Sequence, residues 1–294
     1  MNDISKQINA ARKTMNIYLL LGILFLAVWL VLLCLHTRLN IGVPLTFIPL
    51  LAAIFLFIKM FSHRKVLGSL VKVFVVNEIL AETFELESYL PKGFFPKEQI
   101  NETGLMSGYM TGSYEYRGSD LIKGKYRGVP IEFCDITLLD KRAEGGHTTL
   151  FKGQWLEIGL KNPVGSAVYL AENTGENAVR NSVKLQKVNT DNDAFNKKYR
   201  ILAENPRTAF YVLTPDFIEY IISADDTANA DTYFCFLGDR VRIAMDSERD
   251  LFELDKLKKS LNVDKVRAKF NSDLRYITGI IDELLKNEFL FGGS

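Results

Sequence analysis

Histidine is scarce in this chain: three among 294 residues, at positions 36, 63 and 147. Only His147, in "EGGHTT", stands in a stretch of globular composition. Beside Thr148 and Thr149 it resembles a base next to a hydroxyl, but no third group is placed to orient it, and an exposed loop histidine accounts for it. Cysteine is equally rare. Cys34, Cys134 and Cys235 are widely separated, odd in number and lack any C-x-x-C pair. That pattern excludes a disulfide framework and a zinc site and reads as buried free thiols. The phosphate loop, the dinucleotide fingerprint, the nucleophile elbow and the H-E-x-x-H pair are all missing. Acidic clusters do occur, at Asp191 and Asp193 and at Asp246, Glu248, Asp250, Glu253 and Asp255. Neither has the glycine and terminal glutamate of a calcium loop, so they read as solvated loops and helix starts. No metal and no cofactor is expected.

Charge is missing from two long stretches. Residues 17–35, "IYLLLGILFLAVWLVLLCL", carry none, and neither do residues 44–58. Nineteen residues of helix reach about 28 Å, close to the thickness of a bilayer's hydrocarbon core. The first run has no polar face, which excludes a surface-lying amphipathic helix, and it is too long for a signal-peptide core. Two spans are therefore expected, about 17–35 and 44–61, joined by the short turn in "CLHTRLNIGVP". Pro44 suits the first turn of the second helix, and Pro49 deprives the Leu45 carbonyl of its partner, which predicts a bend. Arg12, Lys13, Lys59, Arg64 and Lys65 flank the outer ends, whereas the turn carries only Arg38. The positive-inside rule then puts both termini in the cytoplasm and the turn on the far face.

Basic excess is missing from the remainder. From residue 73 onward 28 basic side chains face 34 acidic ones, a formal net of −6. Such a domain is a poor match for a nucleic-acid backbone. The spacing predicts a juxtamembrane helix and connection over 62–90, then an α+β domain over 91–294 that is mostly antiparallel. Strands are expected on both sides of Arg127-Gly128, at "TTLFKGQWLEIGL", at "SAVYLAEN", and as a second hairpin about Gly238-Asp239. Thr214 and Pro215 mark a helix start by cap and first-turn proline. Val263, Val266, Phe270, Leu274, Ile277, Ile281 and Leu284 form one apolar stripe, so the C-terminal segment is an amphipathic helix that packs on the sheet.

Four blocks in order carry a family resemblance: "GSDLIKG" (118–124), "LFKGQW" (150–155), "DAFNKKYRILAENPRTAFYVLTPDFIEYI" (193–221) and "RIAMDSERDLFE" (242–253). Over roughly residues 60–255 the chain resembles the bacterial two-span membrane proteins of domain-of-unknown-function family 3137. The chain departs from that pattern around "AENPRTAFYVLTP". The resemblance implies a bacterial inner-membrane protein and singles out Asp120, Lys152, Gly153, Phe195, Thr214 and Pro215, each of which also has a structural explanation. It implies no activity. Two functional readings stand at this level. One is a membrane-anchored cytoplasmic module that engages a protein partner or a second copy of itself. The other is a membrane-tethered hydrolase using carboxylates such as Asp120 or Asp191.

Overall fold

The computed structural model describes residues 2–39, 43–110, 112–141, 148–173, 179, 184–228, 230–252 and 263–292. His147, Glu253 and Asp255 lie outside them. The chain divides into two compact units, Met1–Val76 with Leu254–Val266, and Asn77–Glu253 with Arg267–Ser294.

The first unit is helical. Helix α1 covers Asn2–Leu39, a short α2 covers Val43–Thr46, and α3 covers Ile48–Thr83. Tyr18 meets His63 with ring centroids 5.2 Å apart, and Trp29 meets Phe47 at 6.4 Å. Between these contacts a β-carbon on Gly22 would stand 3.1 Å from the Phe57 ring, so the missing side chain lets the helices approach. Early residues of α1 face late residues of α3, so the two are antiparallel neighbours. Leu20, Leu24, Leu51, Ile58 and Phe61 are exposed. Both apolar stretches, Ile8–Leu35 and Pro44–Thr83, are long and apolar enough to cross a membrane.

The structure corrects the expected turn. Helix α1 continues through Leu39, so most of the polar stretch read as a turn is helical. The bend expected at Pro49 is a break at Phe47, whose N–H bonds the Pro44 carbonyl at 3.3 Å. Pro49 then falls in the first turn of a new helix, where its absent N–H costs nothing.

The second unit is a mixed fold of helices and antiparallel sheet. Its strands are β1 (Glu85–Leu90), β2 (Tyr114–Tyr126), β3 (Val129–Asp140), β4 (Thr148–Glu172), β5 (Gln186–Val188), β6 (Tyr199–Ala203) and β7 (Asp231–Asp246). The sheet runs β1-β2-β3-β4-β6-β5, with β7 also paired to β4. Helices α4 (Lys97–Glu102), α5 (Asp193–Lys198), α6 (Pro206–Val212), α7 (Pro215–Ala228), α8 (Val263–Leu284) and α9 (Glu288–Phe291) complete it.

Strand β4 is the spine. It pairs with β3 through residues 148–158, with β6 through 168–172, and with β7 from Gly153 to Ala171. "TTLFKGQWLEIGL" and "SAVYLAEN", expected as two strands, are thus one. Pro163 is tolerated because it falls in the stretch between Gly159 and Val164 where pairing with β7 is interrupted. The second hairpin expected at Gly238-Asp239 is absent for a related reason. Gly238, at φ 64°, sits opposite Val164 at the same irregularity, and β7 runs on through it. At Arg127-Gly128 both residues have positive φ, and this dipeptide does reverse the chain between β2 and β3.

Alternation along the strands gives the sheet two apolar faces. One buries Trp155, Phe151, Cys134 and Ile136 with Phe95, Ile100, Leu105 and Met106 from α4 and the segments on either side of it. On the other, Phe217 of α7 meets Phe234 edge-on at 5.8 Å, and Phe270 of α8 meets Phe252 at 4.9 Å. Each fully buried phenylalanine contributes about 1.5–3 kcal/mol relative to exposure. The stripe of α8 is buried at Phe270, Leu274, Ile277, Ile281 and Leu284, as its spacing requires.

Candidate functional site

Asp120 sits at a β-bulge of β2 between Ser119 and Ile122, with φ 60° and 2% exposure. Its amide donates to the Pro91 carbonyl and that of Leu121 to the Gly93 carbonyl, both at 3.1 Å, so the chain after β1 clips onto the bulge. The carboxylate accepts the Tyr89 hydroxyl at 2.5 Å and the Ser119 hydroxyl at 3.3 Å. Burial, and then the Asp120 charge, push the Tyr89 phenol well above its usual range, so the phenol keeps its proton and donates it. This arrangement fixes a strained turn and engages the Asp120 carboxylate in bonds within the unit.

A second buried acid lies on β3. Asp135 accepts Gln154 Nε2 at 3.0 Å and the Leu251 amide at 2.9 and 3.0 Å. Burial nevertheless pushes its carboxyl up to about 8, against the opposing effect of those donors. Gln154 also donates to the Arg249 carbonyl at 2.9 Å and accepts the Ser247 hydroxyl at 3.1 Å. Two side chains of the sheet thereby hold the backbone that follows β7. That segment, with α7 and α8, walls a cleft of about 700 Å³ lined among others by Tyr220, Met245, Arg249, Ser272, Arg275 and Tyr276. Asp273 also lines it, and its carboxyl is raised by burial and partly restored by Lys269 at 2.6 Å and by the charge of Arg249.

The positions singled out by sequence are dispersed over the second unit. Lys152 donates its amide to Asp246 Oδ1 at 3.2 Å, and its ammonium lies 3.6 Å from Asp250. Gly153 packs directly on the Met245 carbonyl. Phe195 is buried in α5 against Tyr199, with centroids 4.7 Å apart. Thr214 Oγ1 accepts the Phe217 amide at 3.3 Å ahead of Pro215, the first residue of α7. Asp191 is exposed, just before the Asn192 cap of α5. Arg12, Lys13, Lys59 and Lys65 are exposed on α1 and α3, and Arg64 is half-buried. Among the described residues, no group of three or more His, Cys, Asp or Glu side chains stands close enough to hold a metal ion. Cys134 and Cys235 are buried, and burial raises both thiols, that of Cys235 to about 12; Cys34 is exposed.

One charged constellation escaped the sequence reading. Lys123 pairs across strands with Glu132, Glu132 with Glu157, and Glu157 with Arg242. Lys123 binds Glu132 at 2.6 Å, and Arg240 bridges Glu132 at 3.2 Å and Glu157 at 3.1 Å. Gln99 of α4 and the Trp155 indole donate to Glu157 at 3.0 and 3.3 Å. Burial works against the charge of Glu132, but its bonds from Lys123 and Arg240 prevail and hold its carboxyl below the usual range. The available signal was an acid set inside a short apolar run, as Glu157 is in "WLEIGL". Which strands would neighbour one another was not written locally.

Residues 149–286 match a family described as "Protein of unknown function (DUF3137)". Lys152, Gly153, Phe195, Thr214 and Pro215 fall inside the matched stretch; Asp120 falls outside it. No curated protein matches the chain. The solved structure of the mycobacterial trehalose monomycolate transport factor A, TtfA, is similar at 12% identity over 70% of this chain and 95% of its own, with a TM-score of 0.38.

Proposed function

We propose that this protein is a bacterial inner-membrane module, anchored by α1 and α3 as two spans, that holds its α+β unit in the cytoplasm to bind a protein partner or a second copy of itself. The observation that carries this reading is the pairing of two features in one chain. The apolar flanks of α1 and α3 are exposed, as lipid-facing surfaces are, and the buried acids of the α+β unit are consumed by bonds within it. Arg12 and Lys13 before the first span, and Lys59, Arg64 and Lys65 at the end of the second, support a cytoplasmic location for both termini.

Cross-linking in native membranes, followed by mass measurement of the detergent-solubilised protein, tests the reading. A stoichiometric partner or a defined homo-oligomer is expected. A monomer without a cross-linked neighbour overturns it, as does hydrolysis of an ester or phosphate panel that is lost in Asp120→Ala. Orientation has its own check: in a Cys34→Ser background, Thr37→Cys should react with an impermeant maleimide on intact cells. Reaction only after lysis reverses the topology.

A further inference from the structure

We infer that the cleft between the end of β7, α7 and α8 binds a small organic anion, a phosphate or carboxylate carried on an apolar body. The inference goes beyond the partner-binding reading and does not rest on it.

The volume, about 700 Å³, lies in the range of small-molecule pockets. Its lining combines three chemistries in one place. Met245, Leu251 and the rings of Tyr220 and Tyr276 give an apolar floor, Ser272 and Ser223 add hydroxyls, and Arg249 and Arg275 add positive charge. Both arginines are exposed, and among the described residues neither is in an ion pair. Among the described residues one acid lines the cleft, Asp273, and it is bound by Lys269 at 2.6 Å and also feels the charge of Arg249. The described charged side chains here therefore leave a positive excess facing a half-open, partly apolar space, where a guanidinium selects phosphate and carboxylate by paired hydrogen bonds.

The position of Arg249 is also prepared. Gln154 grips its carbonyl at 2.9 Å, the Ser247 hydroxyl shares its one proton between that carbonyl and Gln154 Oε1, each at 3.1 Å, and Asp135 holds the Leu251 amide two residues on. Three buried or half-buried polar side chains thus fix an exposed arginine's backbone at the rim of a cleft. An arginine serving only solubility needs no such support, whereas a recognition arginine gains affinity from it.

The test is calorimetry on the full chain in neutral detergent with phenyl phosphate and benzoate as probes. At least one probe should bind saturably at one site, more weakly as salt rises. Arg249→Ala and Arg275→Ala should each weaken it about tenfold or more, the effect of a lost charge-assisted contact. Arg207→Ala, an exposed arginine on α6, should leave affinity unchanged, and unaltered melting curves exclude misfolding. Saturation by neither probe, or loss in fewer than both cleft variants, overturns the inference. Displacement by monomeric short-chain phosphatidic acid identifies a lipid head group as the source of the anion. Displacement by glucose 6-phosphate alone identifies a soluble one, and either result upholds the site.

Discussion

Gly153 on β4 lies against the carbonyl oxygen of Met245 on β7, and a β-carbon there would occupy space that oxygen already fills. The obstacle is backbone inside a paired ladder, which cannot swing aside as a side chain does. Gly153→Ala should therefore destabilise the unit by about 3 kcal/mol, the upper range for overpacking. At this size that is a fall in Tm of roughly 10 °C. Gly165→Ala, where a β-carbon meets nothing within 4 Å, should stay within about 0.5 kcal/mol. Circular-dichroism melts of the two variants make the comparison.

Asp135 makes stability depend on pH in an unusual direction for a carboxylate. Its folded value of about 8 exceeds the ordinary 3.8, so between those limits the folded chain keeps a proton that the unfolded chain releases. Stability from this group is complete below about pH 4 and declines as pH rises through 8. Asp246, raised to about 6 chiefly by burial, adds a smaller decline in the lower part of that window. Asp135→Asn is neutral at every pH. Its melting temperature should vary less between pH 5 and 9, and should gain on the wild type toward pH 9.

Glu157 is 1% exposed and is shared by Arg240, Gln99 and Trp155. Removing its charge leaves three donors, two from the sheet and one from α4, facing one missing acceptor. Glu157→Ala should cost about 3 kcal/mol, the lower end for breaking a buried pair, because Arg240 keeps Glu132. A double-mutant cycle with Arg240→Ala should return a coupling of about 1–2 kcal/mol, and strict additivity would show that the pair is not coupled.

Thr214 offers a milder test. Its hydroxyl caps α7 through the Phe217 amide. Thr214→Ala should lower stability by about 1 kcal/mol, and Thr214→Ser should restore most of it. Denaturant titration of the three proteins separates these values.

What the sequence disclosed follows from how far apart the deciding residues stand. The antiparallel helices, the Arg127-Gly128 turn, the Thr214-Pro215 helix start and the stripe of α8 are each written within a few turns of chain. Gly238-Asp239 looked equally local, yet its conformation is set by Val164, more than seventy residues earlier, at a shared irregularity of β4 and β7. Helix α6 was missed although Asn205 caps it and Pro206 opens it, because its seven residues are too few for a periodic signal. The site was less legible than the fold. Asp135, Gln154 and Arg249 come from three distant stretches, and nothing in "FCDIT" or "KGQWL" announces that they meet.

The long pairing of β4 with β7 also sets an order of events during synthesis. Gly153 cannot find Asp246 until more than ninety further residues have left the ribosome, whereas α1 and α3 emerge first. Until then β4, which needs neighbours on both edges, presents an open rim of backbone groups. Translation that stalls before β7 should leave a nascent chain whose long apolar helices α1 and α3 are complete, with an unfinished sheet for chaperones or proteases to find.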